Sequence, residues 1–297
     1  MKIKHLVISG GGPILIQNLG TLYHLETNNI INMNEIESIY GTSAGAIVGV
    51  LLSLKFDWET INDYIIKRPW HEVFPVKVQS ILDSYAKKGI FDIKTIEKCF
   101  KPLLDAKDLA LNITLREFYE YSKVELHFFS FEINDFKIKD ISYLTNPDIP
   151  LMIALQMTCG IPILMTPVCM DNYCFIDGGV VCNYPLSYCI DSGKNKDEIL
   201  GFRNYYDNNQ TKNNITDESN MMDFMMTFLF KVLRNMSTEN VQPIIKYEIE
   251  CNAQLLNIEM LRDSLKSIEI RKDLFQNGID SAKKFIEKIS IIQQIAS

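Results

Sequence analysis

Hydrophobic residues recur along this chain at two periods. Residues 5–9 (HLVIS) form a short apolar run that stops at Gly10, the pattern of a strand buried on both faces in a parallel sheet. Past the glycines, Ile16, Leu19, Leu22, Tyr23 and Leu25 fall at helical spacing, so the first unit reads as strand, tight loop and helix. The succession repeats at once: IESIY (36–40) runs into Gly41, and AGAIVGVLLSL (44–54) continues as a helix. Two strand-to-helix turns carrying glycine so early predict an α/β architecture.

Residues 57–122 alternate helical stretches with turns, and Asp57 and Asp92 have the setting of helix N-caps. VELHFFSFEI (124–133) and FKIKDISYL (136–144) read as two strands joined at Asn134 and Asp135. LMIALQMTC (151–159) is a helix that must end before Pro162. VCMDNYCFIDGG (168–179) is a hairpin that delivers Asp177 to a glycine turn, and EILGFR (198–203) is expected to be the last core strand. The polar, Asn-rich stretch 205–220 reads as a mobile loop. After it come a Met-rich helix from 221, whose pattern fits core packing better than an interfacial role, one strand (IIKYEIE, 244–250) and an amphipathic helix ending near Ile292. With so few strands, the tail is expected to be a mostly helical extension (206–297) packed on a catalytic domain of residues 1–205.

Composition narrows the function by exclusion. The 297 residues are 47% hydrophobic and 23% charged, an ordinary globular make-up, and the net charge of −7 disfavours nucleic acid as a partner. No run of about 18 apolar residues exists to cross a membrane, and the apolar run near Met1 is too short for a signal peptide. An intracellular location, cytoplasmic or peripheral to a membrane, is expected. Seven cysteines, odd in number and embedded among apolar residues, read as reduced thiols. Cys169 and Cys174 are expected to be two buried thiols facing each other across the hairpin. No metal and no other cofactor is expected.

Three glycine-rich elements carry the candidate chemistry. Gly41-Thr42-Ser43-Ala44-Gly45 is a G-x-S-x-G element between a strand and a helix, the setting of a nucleophile elbow. A sharp turn there exposes the serine hydroxyl at the positive end of a helix dipole, and Gly41 and Gly45 leave the bend room. The bland alternative is a serine that only caps its helix. Gly10-Gly11-Gly12 follows the first strand, where successive N–H groups can converge on an anionic oxygen. Neither a Walker lysine nor the third glycine of a dinucleotide fingerprint follows. A serine nucleophile needs a base, and the four histidines (His5, His24, His71, His127) all lie in the first 127 positions. His71 reads as a surface residue and His127 as a packed strand residue. A carboxylate is the alternative base, and Asp177, followed by Gly178 and Gly179, is one on a tight turn.

The strand into GGG, then GTSAG, then DGG, in that order, resembles the patatin-like phospholipase family. TCGIPILMTPV (158–168) and VVCNYPL (180–186) resemble it too, and LFQNGIDSAKKFIEK (274–288) is similar to the last helix of many members. The likeness spans about residues 1–205. It implies a three-layer α/β fold with a mainly parallel central sheet and a helical extension. It further implies a lipid acyl hydrolase acting at a lipid or membrane surface, with Ser43 as nucleophile, Asp177 as base and the amides of Gly10, Gly11 and Gly12 as oxyanion hole. Where the family's first motif continues to a basic residue and another glycine, this chain has Pro13, Ile14 and Leu15. A catalytically weak lipid-binding scaffold on the same fold and a histidine-dependent esterase are the competing readings.

Overall fold

The structure is a computed structural model that describes residues 1–76, 78–206, 215–238, 242–253 and 257–296. Its first half contains β1 (His5–Ile8), α1 (Ile14–Thr27), β2 (Ser38–Thr42), α2 (Ala44–Ser53), α3 (Trp58–Lys67), α4 (Trp70–Val73), α5 (Val78–Lys87), β3 (Gly89–Phe91), α6 (Ile93–Asp105) and α7 (Leu115–Ser122). Then come β4 (Glu125–Glu132), β5 (Lys137–Ser142), α8 (Leu151–Thr158), β6 (Ile163–Met165), β7 (Val168–Met170), β8 (Tyr173–Asp177), α9 (Leu186–Asp191) and β9 (Ile199–Tyr206). The remaining elements are α10 (Met221–Thr238), β10 (Tyr247–Ala253), α11 (Ile258–Lys266) and α12 (Ile268–Ala296).

The central sheet runs β10-β9-β1-β2-β4-β8-β7, with β5 also paired to β4. The five strands from β10 to β4 are parallel, and β5, β8 and β7 pair antiparallel at the far side. Strand alternation sorts side chains into two layers. Leu6, Ile8, Ile39, Leu126, Phe128, Leu200 and Phe202 point into the larger core, with α1, α2 and α8. Val7, Tyr40, Phe129 and Ile199 point into the smaller one, closed by Leu186 and Cys189 of α9. Both layers are apolar, which is why these strands read as continuous hydrophobic runs. Asp57 and Asp92 do cap α3 and α6, accepting from the N–H groups of Thr60 (2.8 Å) and Lys94 (3.0 Å).

Residues past 206 remain part of this body. β10 pairs along its length with β9, so β9 is not the last strand of the sheet as its sequence suggests. α12 packs on α1 where Gly20 and Gly278 let the backbones touch, and Thr21 Oγ1 donates to the Gly278 carbonyl at 3.0 Å. The short parallel pair β3–β6 has no counterpart in the sequence expectation; at three residues each, the strands are too short for a periodicity to show. Of the stretch expected to be mobile, residues 207–214 lie outside the described residues.

Two expectations are corrected. Cys169 and Cys174 do face each other across the β7–β8 hairpin, but they are joined by a disulfide and Cys169 is exposed. An antiparallel pair of directly opposed residues brings two side chains close enough to bond without burying them. The Met-rich helix α10 is not a core helix: Met221, Phe224, Met225, Phe228 and Val232 are exposed along one stripe, while Met226 alone among its described side chains is buried. α10 rests on the turn Gly178–Val180, directly after Asp177. Among the described residues no helix is long and apolar enough to cross a membrane.

Candidate active site

Strand register brings Ser43 and Asp177 together. β2 lies beside β4 as far as Thr42 opposite Phe129, and β8 takes over the next position, with Asp177 opposite Ser130. Because β5 occupies the other edge of β4, β2 and β8 abut end to end on the same edge. One residue past β2 stands Ser43; the last residue of β8 is Asp177.

Ser43 sits at the first turn of α2 with φ 52° and ψ −116°. This backbone conformation is strained for an L-residue by about 1–3 kcal/mol and persists only where surroundings enforce it. The enforcement is visible. The Ser43 N–H donates to Thr158 Oγ1 at 2.9 Å, and that hydroxyl donates onward to the Phe129 carbonyl at 2.6 Å. Thr42 Oγ1 holds the preceding residue to the Cys182 carbonyl at 2.9 Å. Gly41 lies in β2 against the N–H of Ala46, and Gly45 crosses β1 so closely that a Cβ would strike the Ile8 carbonyl oxygen.

Asp177 is held as firmly. Its N–H donates to the Gly160 carbonyl at 3.0 Å, and its Oδ1 accepts from the Gly179 N–H at 2.7 Å. Gly178 packs on the Phe129 carbonyl. The side chain is buried, 6% exposed. Burial raises the Asp177 pKa from the usual 3.8 to about 6, against hydrogen bonds from the Ser43 hydroxyl and the Gly179 N–H that favour the carboxylate. The Cys159 thiol also hydrogen-bonds Ser43, and burial and the nearby carboxylate push its pKa well up, so it is a neutral neighbour.

The glycine loop lies against the elbow. A Cβ on Gly10 would come within 3.1 Å of the Ser43 Cβ. Gly11 (φ 147°) and Gly12 (φ 59°) adopt backbone conformations that L side chains rarely take. The N–H of Gly10 is committed to the Asn183 carbonyl at 3.2 Å, while Asn204 Nδ2 donates to the Gly10 carbonyl at 2.6 Å. Among the described residues the N–H groups of Gly11 and Gly12 have no backbone partner. Of the residues that follow the glycines, Ile14 is buried and Leu15 lines the cavity that reaches Ser43.

That cavity, of about 730 Å³, starts at Ser43, Gly12 and Cys159 and is walled by apolar residues including Leu51, Trp70, Phe100 and Leu155. His71 is exposed on α4 and lines its wall. His127 is engaged elsewhere: Nδ1 bonds Asp140 Oδ2 at 2.7 Å and the ring stacks on Tyr40. Among the described residues neither histidine hydrogen-bonds Ser43 or Asp177, and no group of three His, Cys, Asp or Glu side chains is placed to hold a metal.

Thr158, Gly160, Asn183 and Asn204 also hold the site, though none of them stands out in the sequence as a candidate. The first three lie inside the segments quoted for the family resemblance, which was their signal. Asn204 had none, because it reaches the loop only through the pairing of β9 with β1.

A strained serine on a strand-to-helix turn, facing a buried carboxylate where β2 and β8 end against each other, sits at one end of a mainly parallel α/β sheet. The chain belongs to the patatin-like phospholipase family, whose profile matches residues 6–190. A protein of Invertebrate iridescent virus 6 described as a probable lipid hydrolase is 29% identical over 189 residues, 63% of this chain and 63% of that protein. An uncharacterized protein of Acanthamoeba polyphaga mimivirus is 22% identical over 97% of this chain and 95% of its own length. The crystal structure of VipD from Legionella pneumophila shares the fold, with a TM-score of 0.57 at 14% identity over 97% of this chain and 67% of VipD.

Proposed function

We propose that the protein is a lipid acyl hydrolase of phospholipase A type, acting through a Ser43–Asp177 dyad. One observation carries the reading: a strained, buried serine hydroxyl meets a carboxyl with a pKa of about 6 where an apolar cavity of about 730 Å³ begins. A base of that proton affinity is mostly ionised at neutral pH and still basic enough to draw a proton from an attacking hydroxyl.

In this mechanism Ser43 Oγ attacks the ester carbonyl carbon while its proton passes to Asp177. The developing oxyanion accepts from the N–H groups of Gly11 and Gly12, with Gly10 making room for the elbow rather than donating. Collapse expels the alcohol, which takes the proton from Asp177 and leaves an acyl-serine. Water then gives its proton to Asp177 and attacks the acyl carbonyl; the fatty acid departs as Ser43 regains its proton. No metal or cofactor enters these steps.

Residues 1–205 carry this chemistry and residues 206–297 complete the body around it. The exposed apolar stripe of α10, seated beside the aspartate turn, supports a lipid surface as the partner. With a net charge of −7, adsorption relies on apolar contact rather than on attraction to anionic lipid. The test is fatty-acid release from mixed phospholipid vesicles together with fluorophosphonate labelling. Wild type releases fatty acid and is labelled at Ser43, Ser43→Ala does neither, and Asp177→Asn nearly neither. A folded wild type that is not labelled would favour the scaffold reading, and release lost only with His71→Ala the histidine-dependent one.

A further inference from the structure

The cavity that begins at Ser43 is walled in part by a segment of the chain that does not carry the dyad. Ile258, Leu261 and Leu265 of α11 line it, and all three lie beyond residues 6–190 matched by the family profile. They stand at i, i+3 and i+7, so they share one face of the helix. Each is half-buried, as expected of side chains bordering open volume, whereas Arg262 and Lys266 are exposed where the same cavity meets solvent.

α11 packs mainly on α4 and α12, away from the strands of the elbow, so something must fix its distance from Ser43. Arg271 does so. It is 2% exposed and among the described residues has no carboxylate partner. Its Nε donates to the Ile66 carbonyl (2.8 Å), its Nη1 to the Ser264 (2.7 Å) and Leu265 (3.1 Å) carbonyls, and its Nη2 to the Arg68 carbonyl (3.2 Å). These are the carbonyls at the C-terminal ends of α3 and α11, which lack partners within their own helices and carry the negative end of the helix dipole. One buried cation thus ties the last turn of α11 to the end of α3. Arg68 extends the tie to α6, donating from Nη2 to the Lys98 carbonyl at 2.7 Å. Tyr64, Cys99 and Phe100, on the elements so joined, line the same cavity.

We propose that α11 is the chain-length gauge of the site: Leu261 and Leu265, with Ile258, bound the acyl chain bound there, and Arg271 is the positioning residue that sets where this wall stands. The inference rests on the acyl hydrolase reading and makes it specific. Binding of an acyl chain in an apolar cavity improves roughly fourfold per buried methylene until the wall is met, so the wall's position is readable as a break in a chain-length series.

The experiment measures kcat/KM for p-nitrophenyl esters from butanoate to hexadecanoate in two-carbon steps, with active enzyme counted by fluorophosphonate titration. Leu261→Trp is expected to lower the ratio of the longest to the shortest ester about tenfold or more, and Leu261→Ala to raise it. Arg271→Met broadens the profile, and Arg271→Lys restores part of its sharpness. A loss of folding lowers every ester alike and leaves the ratio unchanged, so opposite shifts by Trp and Ala cannot come from it. Superimposable profiles for wild type and both Leu261 variants overturn the inference. If wild type cleaves none of the esters, the hydrolase reading fails, and the wall is still read by displacing a fluorescent fatty-acid probe with fatty acids of the same series. There too, a chain-length dependence unmoved by Leu261→Trp and Leu261→Ala overturns it.

Discussion

The two regions that meet at the cavity are built by opposite rules. Around Ser43 and Asp177 the backbone is over-determined: Thr158, Gly160, Gly179 and Cys182 hold it through specific hydrogen bonds, and glycines admit contacts no side chain could. In the C-terminal helix α11 the positions facing the cavity are a half-buried apolar stripe, and a single arginine, Arg271, ties its last turn to α3. Under the proposed function, the difference follows from what each region would have to hold. Positioning an oxygen near a carbonyl carbon requires fixed directions, which hydrogen bonds supply, whereas holding a flexible acyl chain or a lipid surface requires only apolar area and a boundary.

The largest test of this contrast is on the dyad. Ser43→Ala is expected to reduce kcat at least about a thousandfold in fatty-acid release, with little effect on lipid binding by co-sedimentation. A residual rate near wild type would mean the over-determined region is not the reacting one.

Asp177→Asn separates chemistry from stability. The Asp177 carboxyl ionises at about 6 in the folded chain against 3.8 when free, so it holds its proton more tightly folded than unfolded. Stability is therefore lost as pH rises from about 4 through 6, by roughly 3 kcal/mol at full ionisation. The asparagine variant should melt higher than wild type near pH 8 and not near pH 4, while being almost inactive. In wild type, kcat/KM should rise with pH through about 6 as the base loses its proton, then level off. Equal melting of the two proteins at both pH values would mean that the carboxyl is not held out of water.

Removing the fastening is expected to come next. Arg271→Met should destabilise the protein by about 3 kcal/mol in denaturant unfolding, since four carbonyls lose a charged donor. Arg271→Lys should recover part of that. Thr158→Val should cost about 2 kcal/mol by leaving the buried Ser43 N–H unpaired, and unlike Arg271→Met it should lower kcat for short and long esters alike. The smallest effect on stability is expected from Phe224→Ser with Phe228→Ser on α10, within about 0.5 kcal/mol because both side chains are exposed. The same double variant should lose much of its vesicle binding, and undiminished co-sedimentation would remove the stripe from the lipid-binding account.

Apart from the short pair β3–β6, the main strands and helices of the first 200 residues are legible because strand alternation, helical spacing and glycine turns are local. Asp57 and Asp92 were readable as caps for the same reason. α10 was misread because its pattern does not state which side another element covers; only the placement of its neighbours leaves Phe224 and Phe228 in solvent. The Cys169–Cys174 pairing shows the same limit: the hairpin was readable, its exposure was not.

What this sequence determines by itself is the turn chemistry: GGG, GTSAG and DGG each specify a bend that few other residues could make, and their order identifies the family. What only the tertiary structure decides is how distant segments meet. That β2 and β8 end against each other beside β4, that Asn204 grips the Gly10 carbonyl, and that α11 lines a cavity reaching Ser43 are relations between surfaces far apart in the chain. A local pattern reports the backbone's preferred bends within a few residues, whereas these contacts depend on the summed packing of the whole core, which no short stretch of sequence contains.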